Sequence, residues 1–236
     1  MPKRFSASVA AMSMACHASA NLDLAIPGWV EPVRDEMAGA KGVGTLMHEA
    51  FAKVVEQPAS DIKHMISALQ YVADLRSKRR FKVLVEHEMK ATWLTSEPKT
   101  TADLVLYTQD EMHVLDLKWG KIEVDVYDNE QLMFGAVTYG ALAPKAKGVT
   151  THILQPRAGG FASEFVDTLR LQKFMKDAQD AERAILNGSI QFGPSEHCTF
   201  CPANPHSRGD KGSPLCPVMM QMLYPRVIDE DEILAL

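Results

Sequence analysis

The segment Val114-Leu115-Asp116-Leu117-Lys118, preceded by Asp103 within Thr101-Ala102-Asp103-Leu104-Val105-Leu106, constrains the fold more than any other stretch of the chain. Side chains alternate along a strand, so Asp116 and Lys118 share one face while Leu115 and Leu117 bury the other. Thr108-Gln109-Asp110-Glu111 reads as the turn between two adjacent strands, a pairing that brings Asp103 and Asp116 within reach of one metal ion. A carboxylate beside an amine suits hydrolysis at phosphorus. The acids hold a hard divalent cation, and the amine orients or deprotonates the attacking water. Alone, an Asp-x-Lys pair is an ordinary solvated feature of a strand, so the assignment rests on its surroundings.

Two helical patterns offer further polar groups. Gly44 to Phe51 opens one, with His48 as a nitrogen donor to a divalent ion; Asn129 to Ala136 opens another, with Gln131 able to hydrogen-bond a phosphate or a base. Without companions, each is an ordinary amphipathic-helix residue. The densest basic run, Arg76-Ser77-Lys78-Arg79-Arg80-Phe81-Lys82, closes a helical pattern that begins near Ser60. It is either a solvated helix end favoured by the dipole or a phosphate track with Arg79 and Arg80 as substrate contacts.

In chain order, His48, Glu86, Asp103, Asp116-x-Lys118 and Gln131 resemble the motifs of the PD-(D/E)XK nuclease superfamily in its RecB-like branch. Within that branch the chain is most similar to phage and prophage exonucleases related to the CRISPR-associated RecB-like nucleases, and the resemblance runs through most of its length. It implies an α/β, restriction-endonuclease-like core in which helices flank a central mixed sheet. It also implies a metal-dependent DNA exonuclease serving phage replication, recombination or DNA degradation in the cytoplasm of a bacterial host, with replication or recombination proteins as partners. By the resemblance, His48, Asp103 and Asp116 hold Mg2+ or Mn2+ and Lys118 positions the attacking water. Glu86 in Val85-Glu86-His87-Glu88 supplies the acid of the preceding strand, with Glu88 on the same face as the alternative. The chain departs from the family pattern twice. Thr100-Thr101-Ala102-Asp103 lacks the usual glycine ahead of the first carboxylate, and Gly135 stands where tyrosine is common, leaving Tyr139 one turn on as the substrate-stacking aromatic. The competing reading is a noncatalytic DNA-binding or scaffold protein of the same fold. Buried acids around a cation give such a module nothing that exposed lysines do not.

Cysteine usage points to a second metal. Cys16 stands near the start, Cys198-x2-Cys201 and Cys216 near the end; four cysteines in 236 residues are too few for a secreted disulfide scaffold. Four thiolates suit an iron-sulfur cluster, and Cys198, Cys201, His206 and Cys216, with His197 nearby, suit zinc without Cys16. Spacing alone does not separate them. The resemblance does, because the related nucleases hold a [4Fe-4S] cluster with one N-terminal and three C-terminal cysteines. Residues 1–192 then form the nuclease core, and 193–236 form a C-terminal cysteine clasp followed by the acidic tail Asp229-Glu230-Asp231-Glu232.

Composition permits this architecture. A hydrophobic content of 46% sustains a substantial core, and no segment has the apolar length needed to span a bilayer. The net charge of -5 gives no global attraction to DNA, so contact with nucleic acid must be local. Lys3-Arg4 and the alanine-rich stretch to Ala20 imitate a signal peptide, broken by Ser6, Ser8, Ser13 and His17. A lipoprotein reading of Ala15-Cys16 would consume the first cysteine ligand. Helices are predicted near 45–57, 61–79, 129–142 and 168–187, and strands near 82–94, 101–107, 112–118, 121–127 and 149–154, with a turn at 156–160.

Overall fold

The computed structural model describes residues 9–26, 29, 48, 63–204 and 216–219. The chain divides into two compact units, one spanning 35–177 and the other joining 1–34 to 178–236. This differs from the division at 192/193 expected from sequence, because the N-terminal segment packs with the residues around 185–204. In that smaller unit α1 (Ala10–Ala15), a 3-10 turn (His17–Ala20) and α2 (Leu22–Ala25) follow one another. The Ala18 N–H donates to the Gln191 carbonyl at 3.0 Å, and the Asn21 amide donates to the carbonyls of Ile185 at 3.2 Å and Ser189 at 2.7 Å. A Cβ at position 193 would lie 1.6 Å from the Ala15 carbonyl oxygen, so only glycine allows this approach.

The larger unit is an α/β layer structure. It contains α3 (Lys63–Lys78), β1 (Lys82–Lys90), β2 (Lys99–Tyr107), β3 (Met112–Leu117), α4 (Glu130–Tyr139), β4 (Gly148–Gln155) and β5 (Gly160–Asp167); α5 (Thr168–Leu186) begins there. The five strands lie in sequence order, antiparallel except for the parallel β3–β4 pair, which the α4 crossover makes possible. All six residues of β3 are buried, as its near-continuous apolar run requires of a central strand. Leu104, Leu106, Leu115, Leu117 and Leu154 pack with Met65, Ala68 and Val72 of α3. Val105, Val114, Val149 and Ile153, pointing the other way, pack with Leu132, Ala136 and Tyr139 of α4. Asn129 caps α4 by accepting the Leu132 N–H through its side chain. No helix among the described residues is long and apolar enough to cross a membrane.

Two strand expectations change. Residues 121–127 do not form a strand; the Gln155 side-chain amide accepts the Val124 N–H at 3.1 Å and donates to the Val124 carbonyl at 2.5 Å, replacing a neighbouring strand with one side chain. The unanticipated β5 is an edge strand whose only fully buried residue is Val166, so its sequence carries little core alternation. Gly160, at φ +84°, turns the chain into it. The expected helix at 45–57 lies outside the described residues except for His48, which is helical.

On the α3 face a largely buried polar chain links α3, β4, β3 and the β2–β3 turn. The Tyr71 hydroxyl lies 2.9 Å from His152 Nδ1, His152 Nε2 lies 2.9 Å from His113 Nδ1, and His113 Nε2 lies 3.0 Å from Glu111 Oε1. One proton arrangement satisfies every link with both imidazoles neutral: Tyr71 donates to His152, His152 to His113, and His113 to Glu111. Burial, reinforced by the charges of His113 and Lys78, pushes the His152 pKa down to about 3. An unfolded histidine titrates near 6.5, so this group's contribution is complete above about pH 6.5 and is lost progressively as pH falls toward 3. Urea unfolding should show a drop on the order of 3 kcal/mol from this residue between pH 7 and 4. In His152→Phe that acid limb should flatten, whatever the variant's stability at pH 7; an unchanged slope would place the acid sensitivity elsewhere.

Candidate functional site

The β2–β3 ladder runs to Leu104 opposite Leu115, and beyond it a carboxylate takes over. Asp103 Oδ2 accepts the Leu117 N–H at 2.6 Å, which fixes the carboxylate and turns Oδ1 toward His48 Nδ1, 3.2 Å away. On the other side of β2, Val85 pairs with Leu104 and His87 with Ala102, so Glu86 falls opposite Asp103. Glu86 has φ +44°, a left-handed conformation that costs a non-glycine residue on the order of 1 kcal/mol and tends to occur where function demands it. Its carboxylate lies 4.0 Å from His48 Nδ1. His48, Glu86 and Asp103 thus present ligand atoms all within 4.8 Å of one another. Glu88 is instead ion-paired with Lys99 at 2.6 Å, so Glu86 is the acid at this centre. None of residues 100–102 needs positive φ; the backbone departure that the missing glycine suggested lies across the sheet, at Glu86.

Beside this group sits a second. Lys118 follows the last residue of β3 but still donates its N–H to the Leu154 carbonyl, and its Nζ lies 2.9 Å from Asp116 Oδ2. Gln131, on the first turn of α4, accepts from Lys118 Nζ at 2.9 Å and donates to Asp116 Oδ1 at 3.0 Å. Both ends of its amide are engaged, which holds the Lys118 and Asp116 side chains together. Asp116 stands outside the tightest ligand group, but its charge acts on His48. Its Oδ2 is buried and meets Lys118 without an aligned hydrogen bond, leaving a lone pair for a cation.

The electrostatics agree with a cation site. Burial raises the Asp116 pKa against the pull of the Lys118 ammonium, and the charge of Asp103 adds to the rise. His48 is pushed up to about 9, chiefly by its hydrogen bond to Asp103, against burial and with help from the charges of Asp103, Asp116 and Glu86. Three acids therefore gather positive charge where His48 stands. Carboxylate oxygens with one imidazole nitrogen can hold a metal ion. A cation bound through His48 must displace its proton, so Mn2+ affinity should rise about tenfold per pH unit below 9. Calorimetry between pH 6.5 and 8, in buffers of different ionisation enthalpy, reads both the slope and the released proton; a flat profile would remove His48 from the ligand set.

Other sequence candidates lie elsewhere. Tyr139 is fully buried, donates its hydroxyl to the His87 carbonyl and accepts the Ala102 N–H at 3.3 Å, so it ties α4 to β1 and β2 instead of stacking on substrate. Arg79 is held by Asp110 at 2.6 Å and Glu111 at 2.9 Å at the β2–β3 turn. That turn lies beyond Tyr107, about 13 Å along β2 from Asp103, so the structure does not bring Arg79 to the His48, Glu86 and Asp103 group. Arg80 is exposed. Sequence reasoning missed Gln155, although a lone amide ending the apolar strand Gly148–Gln155 was a visible signal.

In the smaller unit the four cysteines are free thiols. Cys201 is buried with Leu22, Ile26 and Ala203, and Cys216 packs against that cluster. The Cys201 thiol is pushed up to about 11 by burial, then by the charges of Cys216, Cys16 and Cys198. Cys16 thus stands near the C-terminal three. Among the described residues, no three of these sulfur atoms lie within 4.8 Å of one another. His206, the ligand of the zinc reading, lies outside the described residues.

Residues 53–236 match the model of a family described as "Protein of unknown function (DUF2800)". Among solved structures, the crystal structure of SSO0001 is similar over 68% of this chain and 76% of its own, at 14% sequence identity and a TM-score of 0.34.

Proposed function

We propose that this chain, which belongs to the DUF2800 family, is a divalent-metal-dependent deoxyribonuclease acting as an exonuclease. One observation carries the reading: the Asp116–Lys118–Gln131 triad lies beside the His48, Glu86 and Asp103 ligand group on the same sheet. Mg2+ or Mn2+ bound there supplies Lewis-acid stabilisation of charge at a phosphoryl oxygen. The protein's own part is positional. Lys118, as an ammonium, has three donors; one goes to Gln131, one faces Asp116, and the third is left to orient a water for attack at phosphorus. Gln131 keeps that ammonium from swinging away, and the Leu117 N–H keeps the Asp103 carboxylate facing His48.

The same proposal takes in the restriction-endonuclease-like fold and a [4Fe-4S] cluster on Cys16, Cys198, Cys201 and Cys216. Four neighbouring thiols ionise together only around a cation. Cys16 acts on Cys201 together with Cys198 and Cys216, which supports a site that uses all four thiols over a zinc site that leaves Cys16 out. Phage DNA replication, recombination or degradation in a bacterial cytoplasm is the setting that fits such an enzyme. Purified protein incubated with end-labelled linear DNA and with circular DNA, with and without Mn2+, tests the activity. Mn2+-dependent loss of linear DNA alone is expected; DNA binding without cleavage in any metal would turn the reading to a noncatalytic binding protein.

A further inference from the structure

We propose that the cavity beside Lys118 is a subsite for one unpaired nucleobase, preferring bases that carry an amino group, and that the enzyme therefore engages single-stranded or frayed DNA. The inference rests on the nuclease reading for its substrate class and on independent geometry for its location. The cavity, of about 340 Å3, includes Ile153, Gln155, Gly160 and Ala162 on one side and the segment 123–127 on the other. In the parallel β3–β4 pair Asp116 lies opposite Ile153, and Lys118 follows opposite Gln155; across β4–β5, Ile153 pairs with Ala162 and Gln155 with Gly160. With strands about 4.8 Å apart, the cavity begins one strand from Asp116 and Lys118 and ends two strands away. Paired residues point to the same face, so it opens beside the proposed reacting atoms.

Its chemistry selects a base over a phosphate. Ile153, Ala162, Val124 and Val126 give apolar surface, and no cationic side chain lines the cavity. Gln155 has committed both ends of its amide to the Val124 backbone, so it braces the wall and leaves recognition to others. Glu123 and Asp125 line the cavity with acceptor carboxylates that repel phosphate and favour N–H donors on a ring edge. Tyr127, 66% exposed, lines the cavity too and offers the aromatic surface on which single-stranded bases stack. A paired base has its donor edge occupied and its faces covered, so only an unpaired one fits.

The test uses the full chain and two variants. Ala162 is exposed on the edge strand and lies away from the ligand residues, so Ala162→Phe fills the cavity from its outer wall; Tyr127→Ala removes the stacking surface. Wild-type protein should bind 2′-deoxyadenosine and 2′-deoxycytidine in millimolar NMR titrations but not deoxyribose 5-phosphate, and Ala162→Phe should abolish the nucleoside signal while circular dichroism reports an intact fold. Single-stranded oligonucleotides ending in an abasic residue should bind wild type about tenfold more weakly than intact ones, a gap that Tyr127→Ala closes. Absent nucleoside binding, or equal binding in Ala162→Phe, overturns the subsite. Nucleoside binding that persists in a protein with no nuclease activity in any metal keeps the subsite and removes only the nuclease reading.

Discussion

Lys118→Ala is expected to cut DNA cleavage by roughly 10²–10⁴-fold while leaving the fold and Mn2+ binding nearly intact. The ammonium meets Gln131 and Asp116 but belongs to no ligand group, so its loss removes the donor for the attacking water and little else. Asp116→Asn should do at least as much damage and also weaken Mn2+ binding, because it removes negative charge from a buried position that acts on His48. Gln131→Ala is the informative third variant: it leaves both charges in place and frees Lys118 to move, so a smaller loss, in kcat more than in KM, is expected. End-labelled DNA assays at saturating Mn2+ read all three. Cleavage at the wild-type rate by Lys118→Ala or Asp116→Asn would remove the proposed chemistry from this site.

The second large effect concerns the cysteines. Protein purified without oxygen should be brown and hold about four irons per chain, whereas zinc would leave it colourless. Linking Cys16 to Cys198 closes a loop of most of the chain, for which chain entropy alone gives about 5 kcal/mol as an upper figure. That is comparable to a whole domain's net stability. Cys16→Ser should therefore bleach the protein and lower its melting temperature. The residues of the proposed reaction belong to the other compact unit, so cleavage at low temperature should survive. Stoichiometric zinc in a colourless protein whose Cys16→Ser variant melts normally would assign the site to Cys198, Cys201, Cys216 and His206.

The strands bearing Asp103 and Asp116 were legible in the sequence because their pattern is local. Each is a short apolar run whose alternation assigns faces, and the β2–β3 hairpin follows from the turn between them. The α4 start was legible for the same reason, as a helical pattern opening at Asn129, the residue that caps the helix. Sequence also named His48, Glu86, Lys118 and Gln131, though it did not arrange them. The choice of Glu86 over Glu88 depended on register, since the residue opposite Asp103 is set by hydrogen bonding between strands and not by either glutamate's neighbours. Tyr139 and Arg79 looked available in the sequence because nothing local reveals that a hydroxyl will be spent on two backbone strands or a guanidinium on an acidic turn. The Gln155 brace and the cavity it supports are long-range as well, since Gln155 and Val124 lie 31 positions apart in the chain; β5 follows a local turn, but its mostly exposed residues carry little core alternation. The sequence by itself determined which strands and helices form around the candidate residues and which faces those residues occupy, since both follow from alternation and local patterns. Tertiary structure alone decided which of them meet, because contact between distant residues is fixed by strand register and packing, and no local pattern encodes either.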